Sequence, residues 1–151
     1  MAKWIVLVVC TLMALPWAAG AQNVDFKNPA ELNKPNGYSH VVIVNHGRLV
    51  LIAGQIGADK QGQVADNFAA QAKQAFANLR VALAAAGAAP NNLVKLNYFV
   101  VDLNHDKVMT LRELRDGFIN KEHPPASVLT GVDALFREDV QIEMEAEAVI
   151  P

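Results

Sequence analysis

The chain has 151 residues, with 13 lysines and arginines against 15 aspartates and glutamates, and its formal net charge is −2. This length is enough for one domain with a sizeable core. The mildly acidic balance argues against a nucleic-acid-binding protein, because phosphate binding requires clustered basic residues.

The N-terminal segment has the pattern of a secretory signal peptide. One basic residue precedes an apolar run from Trp4 to Leu15, and Ala19-Gly20-Ala21 forms an Ala-x-Ala cleavage site. The run is much shorter than the roughly 20 residues that a membrane-spanning helix requires, so an uncleaved anchor is the lesser alternative. We expect a signal peptide at residues 1–21, cleavage between Ala21 and Gln22, and a single periplasmic or secreted domain over residues 22–151 with no membrane contact after cleavage.

The side chains usual for metal binding are few and scattered. The only cysteine, Cys10, would leave with the signal peptide, so the exported domain must be held together by packing alone. The four histidines, His40, His46, His105 and His123, lie at no spacing typical of metal ligands. We therefore predict neither a metal site nor a cofactor.

The first part of the mature chain predicts an extended leader followed by a β-hairpin. Residues Asn23 to Asn36 are polar, contain two prolines and are expected to lie against the domain. Val41–Val44 and Leu49–Ala53 are β-rich runs, and Gly47 between them can adopt the positive φ of a tight turn. Gly54 follows, either as a plain turn residue or as a place where a ligand approaches the backbone closely.

The first helix is predicted from Phe68 to Ala86. Its apolar side chains recur at spacings of three and four residues, which is typical of an amphipathic helix. Asp66 is the expected N-cap, and Gly87 is expected to end the helix.

A strand and a second helix are predicted next. Leu93–Val101 is β-rich, and because both of its faces are partly apolar, something must cover each of them. The second helix is expected to begin at Asn104 or Asp106 and to carry Arg112 and Arg115 on its outer side or in its late turns.

Two strands, Ala126–Val132 and Val140–Ile150, are predicted at the C-terminus. The second alternates strictly, so one face carries three carboxylates about 7 Å apart: Glu143, Glu145 and Glu147. These glutamates form either a solvated face or part of a covered cleft, and we expect a cleft because Leu129 of the neighbouring strand is placed on the same side. The order β-β-α-β-α-β-β predicts an α+β domain with both helices on one face of a sheet.

Four short stretches resemble the Rid family, the YjgF-like reactive intermediate deaminases. They are Gly37-Tyr38-Ser39-His40, Ala53-Gly54-Gln55, Pro125-Ala126 with Gly131-Val132, and Ile142-Glu143-Met144-Glu145-Ala146. The resemblance runs from about Asn28 to Val149. It implies a chorismate-mutase-like fold with a single six-stranded mixed sheet, and a homotrimer with small-molecule clefts between its subunits.

The resemblance also implies roles for individual residues. Glu143 matches the family glutamate that orients the attacking water, and Tyr38 matches a tyrosine that lines the cleft, although a turn aromatic is an equal alternative. Ser127 stands where the deaminating members carry an arginine that grips the substrate carboxylate. Serine offers one neutral hydrogen bond in place of two charged ones, so carboxylate binding should be weaker.

Three further residues complete the expected ligand site. Leu129 shares a face with Ser127 and would make the pocket smaller and drier. Gly54 matches a family glycine beside the cleft. Arg112, or Arg115 next to it, is the candidate for a cation that enters the cleft from another direction.

Two functions of different classes follow. In the first, the protein is a hydrolase or deaminase that acts on an enamine, imine or similar reactive small molecule, not the usual amino-acid-derived imines, with Glu143 positioning water. In the alternative, it is a non-catalytic small-molecule-binding protein that has kept the cleft and lost the deaminase activity. Replacement of Glu143 should abolish turnover in the first case and leave ligand binding largely intact in the second.

Overall fold

The computed structural model describes residues 23–151, so the predicted signal peptide lies outside the described residues. These residues form six strands and two α-helices, with a short 3-10 helix at Pro90–Asn92. In chain order they are β1 (Val24–Lys27), β2 (Val41–Val44), β3 (Arg48–Ile56), α1 (Phe68–Ala85), β4 (Leu93–Val101), α2 (His105–Asp116), β5 (Ala126–Val132) and β6 (Ile142–Ile150). Within this part of the chain, neither helix has the length and apolar character needed to cross a membrane.

The main sheet is mixed and has the strand order β3-β6-β4-β5. β6 runs antiparallel to both of its neighbours, whereas β4 and β5 are parallel. The prediction of an α+β domain with six strands and two helices packed on a mixed sheet is confirmed. The strands are divided, however, because β1 and β2 form a separate two-stranded sheet instead of extending the main one.

The predicted hairpin between Val41–Val44 and the next strand is wrong. β2 pairs with β1, which lies in the segment expected to be an extended leader, and β3 pairs with β6. Gly47 has a positive φ of 114°, but it serves a close approach to the end of β6. A β-carbon there would lie 2.6 Å from the Ile150 carbonyl oxygen. Long-range pairing, and not the local turn signal, has decided which strands are partners.

Helix α1 covers the centre of the main sheet. Its inward residues Ala72 and Ala75 are small enough to let the helix lie close to the strands, and Leu79 and Leu83 are fully buried. The N-cap is Asn67, whose side chain accepts a hydrogen bond from the Ala70 amide at 2.9 Å, so the expectation of Asp66 is off by one residue.

Helix α2 packs against α1 on the same side of the sheet. It is capped by Asn104, one of the two predicted starting residues, whose side chain accepts a hydrogen bond from the Lys107 amide at 3.0 Å. Leu111 is its most buried residue and joins the core that α1 forms with the sheet.

The register of the central strands defines two faces of the main sheet, because residues paired across strands point to the same side. One row is covered by the helices and lies on what we call the helix face: Met144, Tyr98 and Leu129. The adjacent row lies on the opposite side, which we call the open face: Glu143, Phe99 and Thr130.

The start of β6 is fixed by a buried glutamine, Gln71 of α1. Its Nε2 donates hydrogen bonds to the carbonyl oxygens of Ala65 and Asp139, at 2.7 and 2.8 Å. Its Oε1 accepts a hydrogen bond from the Gln141 amide at 2.8 Å. All three bonds are satisfied in a side chain that is 1% exposed, so the glutamine holds the chain two residues before Glu143.

We predict that Gln71→Leu lowers the free energy of unfolding by about 3 kcal/mol, because three buried backbone groups lose their partner. Urea denaturation measures this loss. Gln74→Leu on the same helix is the matched control. Gln74 makes one side-chain bond, to Asn78, and its loss should cost about 1 kcal/mol. Equal losses in the two variants would contradict a special role for Gln71.

Candidate functional site

Glu143 lies on the open face directly against Gly54. The pairing of β3 with β6 shifts register between Ile52 and Gln55, and Gly54 falls in this irregular segment. A β-carbon at position 54 would overlap the Glu143 carboxylate, so only glycine leaves room for it there. Two residues that were predicted separately, as catalytic and as ligand-binding, are therefore neighbours.

The three carboxylates of β6 differ in their partners. Glu145 accepts a hydrogen bond from Asn97 Nδ2 at 2.8 Å, and Glu147 Oε1 lies 3.9 Å from Lys95 Nζ. Among residues 23–151, the Glu143 side chain has no hydrogen-bond or ion-pair partner. Glu143 is thus the carboxylate that remains available to a water molecule or a ligand.

A shallow depression of about 400 Å³ continues along the open face from these carboxylates. Its walls include Leu51, Lys95, Asn97 and Glu145. The Asn97 Oδ1 atom is buried here without a hydrogen-bond partner in the described part of the chain. Leu51 is 72% exposed, an unusual position for a leucine at the centre of a sheet face.

The other predicted ligand-binding residues lie together on the opposite side of the sheet. They line a cavity of about 220 Å³ between α2, the strands β4 and β5, and the loop before β2. The side chains that bring polar or variable chemistry to this cavity are Tyr38, Tyr98, Arg112, Arg115, Ser127 and Leu129.

Arg115 holds the Gly37-Tyr38 turn against α2. Its Nη1 donates a hydrogen bond to the Asn36 carbonyl oxygen at 3.2 Å, and its Nη2 pairs with Asp116 Oδ1 at 2.7 Å. A β-carbon at position 37 would overlap the guanidinium group, so the glycine makes room for this contact. The position of Tyr38 beside the cavity thus depends on an arginine nearly eighty residues later.

Ser127 is already engaged by the backbone. Its Oγ donates a hydrogen bond to the carbonyl oxygen of Leu96 at 2.8 Å. The hydroxyl that stands in place of a cationic fork therefore contributes little free donor capacity to the cavity. Leu129, two residues further along β5, adds an apolar wall on the same side.

Tyr98 is the functional residue that sequence reasoning missed, since it was assigned only to the core face of β4. Its ring lies 6.2 Å from that of Phe76, and its hydroxyl is buried without a hydrogen-bond partner among residues 23–151. Burial raises the pKa of the hydroxyl, an effect that the charge of Arg115 reduces and that of Asp116 increases. The available signal was a tyrosine between buried aliphatic residues, because a buried phenol normally requires a partner.

The expectation that Leu129 shares a face with the β6 carboxylates is wrong. β4 lies between β5 and β6, and its register pairs Leu129 with Tyr98 and then with Met144. The β5 residues on the carboxylate side are instead Val128 and Thr130. Within one chain, the pair of Glu143 and Gly54 is therefore separated from the cavity residues by the sheet itself.

Potential metal ligands are dispersed in the described part of the chain. Among residues 23–151, no group of three or more histidine, cysteine, aspartate and glutamate side chains is arranged to hold a metal ion. His40 instead contacts the Asn33 carbonyl oxygen, at 2.8 Å from Nε2, and the edge of the Tyr38 ring.

Comparison with known proteins identifies the family. Residues 29–150 match the family model described as Endoribonuclease L-PSP. The chain is 35% identical over 108 residues to the 2-iminobutanoate/2-iminopropanoate deaminase of Salmonella typhimurium, which covers 70% of this chain and 83% of that protein.

Solved structures agree with this match. The Rid family protein YyfB from Yersinia pestis is similar, with a TM-score of 0.76, 31% identity, and coverage of 85% of this chain and 99% of that one. The structure of Escherichia coli TdcF with bound serine gives a TM-score of 0.61, 29% identity, and coverage of 72% and 85%. The resemblance found in the sequence is confirmed, and the chain belongs to the Endoribonuclease L-PSP family, among its Rid-type, YjgF-like members.

Proposed function

We propose that this protein is an exported homotrimer that hydrolyses or deaminates an enamine- or imine-type small molecule, with Glu143 positioning the attacking water. The observation that carries the proposal is the Glu143 carboxylate, which is seated over Gly54 and has no partner among residues 23–151. The similarity to 2-iminobutanoate/2-iminopropanoate deaminases supports the choice of imine chemistry.

An unpartnered carboxylate can act as the general base of imine hydrolysis. Glu143 takes one proton from water as the water oxygen bonds to the imine carbon, and then passes that proton to the nitrogen. Transfer of the remaining hydroxyl proton to the nitrogen breaks the C–N bond and releases ammonia and a carbonyl compound. The carboxylate ends the cycle in its starting state.

The reacting cleft is proposed to form between two subunits. The open face of one subunit supplies Glu143 and Gly54, and the cavity beside the edge strand β5 of another supplies Tyr38, Ser127 and Leu129. Two observations support this arrangement: these groups lie on opposite faces of one chain, and the open face exposes the apolar side chain of Leu51.

The usual amino-acid-derived imines are proposed to be poor substrates. Ser127 takes the place of the arginine that would grip a carboxylate, and its hydroxyl is bonded to the backbone. The open face carries three glutamates against one lysine, Lys95, so its field repels anions. The same field argues against an RNA substrate, in spite of the name of the family model.

A second function is a ligand-binding protein without turnover. Its support is the replacement at Ser127, because a cleft without the charged fork loses the group that orients a carboxylate substrate. The two functions predict opposite behaviour for variants of Glu143.

We predict that Glu143→Gln lowers turnover about 100-fold or more, the contribution expected of a general base. The assay follows ammonia release above the spontaneous rate from the imine that an amine oxidase generates from benzylamine. Glu147→Gln, on the same face but beside Lys95, is the control and should change turnover much less. Undiminished turnover in Glu143→Gln would contradict the proposed mechanism.

Gly54→Ala gives an independent test of the same carboxylate. The new methyl group overlaps Glu143, which must move, so turnover should fall while the fold is kept because the displaced atoms end a flexible side chain. Gly117→Ala is the matched control, since a β-carbon there lies 3.7 Å from its nearest neighbour and φ is −86°.

For the assembly, we predict that the wild-type protein sediments as a trimer and that Leu51→Glu dissociates it. A charge on the open face would be buried without a partner in the interface. Val81→Glu on α1 is the control, because Val81 is 70% exposed and lies outside the main sheet. A wild-type monomer at micromolar concentration would contradict the inter-subunit cleft.

For the location, we predict that N-terminal sequencing of the protein from an extracytoplasmic fraction begins at Gln22, because Ala19-Gly20-Ala21 is a cleavage site of the Ala-x-Ala type. The full-length chain in the cytoplasm would contradict export.

A further inference from the structure

The cavity on the helix face holds two polar groups whose binding capacity is not used within the chain. Arg112 projects from α2, and Tyr98 reaches the cavity from β4. Neither belongs to the stretches that carry the family resemblance. Their positions raise the question of which ligand would satisfy both groups.

We propose that Arg112 and the Tyr98 hydroxyl together bind the carboxylate of a small aliphatic monocarboxylate in this cavity. The carboxylate anchor is thereby moved from β5, where Ser127 now stands, to α2. The inference concerns binding and rests on the cavity of the single chain, so it holds for either proposed function.

The charge of the cavity favours a ligand with one negative charge. Arg112 has no carboxylate partner among residues 23–151, and its guanidinium contacts only Met109 Sδ, at 3.9 Å. Arg115 is paired with Asp116, and the lining includes no acidic side chain. One uncompensated positive charge remains, and it matches a single carboxylate better than a doubly charged phosphate.

The Tyr98 hydroxyl supplies the second point of attachment. It is buried in a side chain that is 4% exposed, and it lacks an acceptor in the described part of the chain. A buried unpaired donor is costly unless a ligand or water completes it. Because burial raises its pKa, the phenol keeps its proton at neutral pH and can donate it to a carboxylate oxygen.

The size and walls of the cavity set the body of the ligand. A cavity of about 150 Å³ accommodates benzene, so about 220 Å³ accommodates a six-membered ring that carries a carboxylate. The walls beyond the polar groups are aliphatic, from Val108, Leu111 and Leu129. An α-imino acid anchored from α2 lies differently from one anchored on β5, which agrees with poor turnover of such substrates.

Calorimetric titration of the wild-type protein with cyclohexanecarboxylate tests the proposal. We expect binding that weakens about 10- to 100-fold in Arg112→Gln, through loss of a charged hydrogen bond. Tyr98→Phe should weaken binding several-fold. Arg48→Gln, far along the chain at the start of β3, is the control and should bind like the wild type. Absence of binding at millimolar concentration, or equal binding by Arg112→Gln, would overturn the proposal.

Two related probes separate the sources of affinity. Cyclohexanecarboxamide has the same shape without the charge and should bind at least tenfold more weakly than the acid. Cyclohexyl phosphate carries a second charge and should also bind more weakly. Equal binding of the amide would show an apolar pocket only, and tighter binding of the phosphate would show a dianion site; either result overturns the proposal.

Glu143→Gln separates this inference from the proposed turnover. Binding of cyclohexanecarboxylate should persist in this variant, whatever happens to imine hydrolysis. Loss of binding there would place the ligand on the open face and overturn the assignment to Arg112. Loss of turnover with binding retained supports both proposals, and retained turnover with retained binding contradicts only the mechanism.

The fold of Tyr98→Phe is checked by its stability. Removal of an unpaired buried hydroxyl should leave the free energy of unfolding unchanged or higher. In the wild type, the raised folded pKa means that stability present below the unfolded pKa is lost as pH rises above about 10. Tyr98→Phe should lose less stability over that alkaline range, and a greater loss would contradict a buried, unpaired hydroxyl.

Discussion

The two-residue repeat of the central strand β6 is the constraint on which the rest of the molecule depends. Because β6 lies between β3 and β4, its even-numbered residues from Ile142 are buried under the helices and its glutamates are turned to the open face. The register carries this alternation across β4 to β5, so Glu143 and Ser127 point to opposite sides. A shift of one residue would bury three carboxylates, and the apolar core therefore fixes where acidic chemistry can occur.

Glycine has an active part in placing charged groups in this fold. Gly54 makes room for the Glu143 carboxylate, and Gly37 makes room for the Arg115 guanidinium. In both cases the missing β-carbon admits a charged group from a distant part of the chain. Conversely, Gln71 secures the backbone from which β6 begins, through three buried hydrogen bonds. The position of the reactive carboxylate is thus set by a bulged strand on one side and a buried amide on the other.

The sequence predicts the elements of this fold well and their partnerships less well. β4 and the glutamate-bearing face of β6 follow from periodicity, because each is a local pattern in consecutive residues. The hairpin at Gly47 fails because strand pairing is decided by β1 and β6, which are remote in sequence. The face of Leu129 is misassigned for a related reason: the alternation is visible within β5, but its phase relative to β6 depends on the intervening β4. Tyr98 was missed because a hydrophobic pattern reports the burial of its ring and not the state of its hydroxyl.

The two arginines of α2 show how one helix can separate structure from recognition. Arg115 is largely buried, pairs with Asp116 and bonds the backbone at Asn36, so its charge is compensated and its geometry is fixed. Arg112, one turn earlier on the same side of the helix, shares the cavity but has no such partners in the described residues. An uncompensated guanidinium beside an unpaired phenol attracts an anion more strongly than either group alone, because the partly buried site screens charge less than water does. The loss of a cation on β5 is therefore better understood as a change in where the site meets an anion than as the loss of all anion recognition.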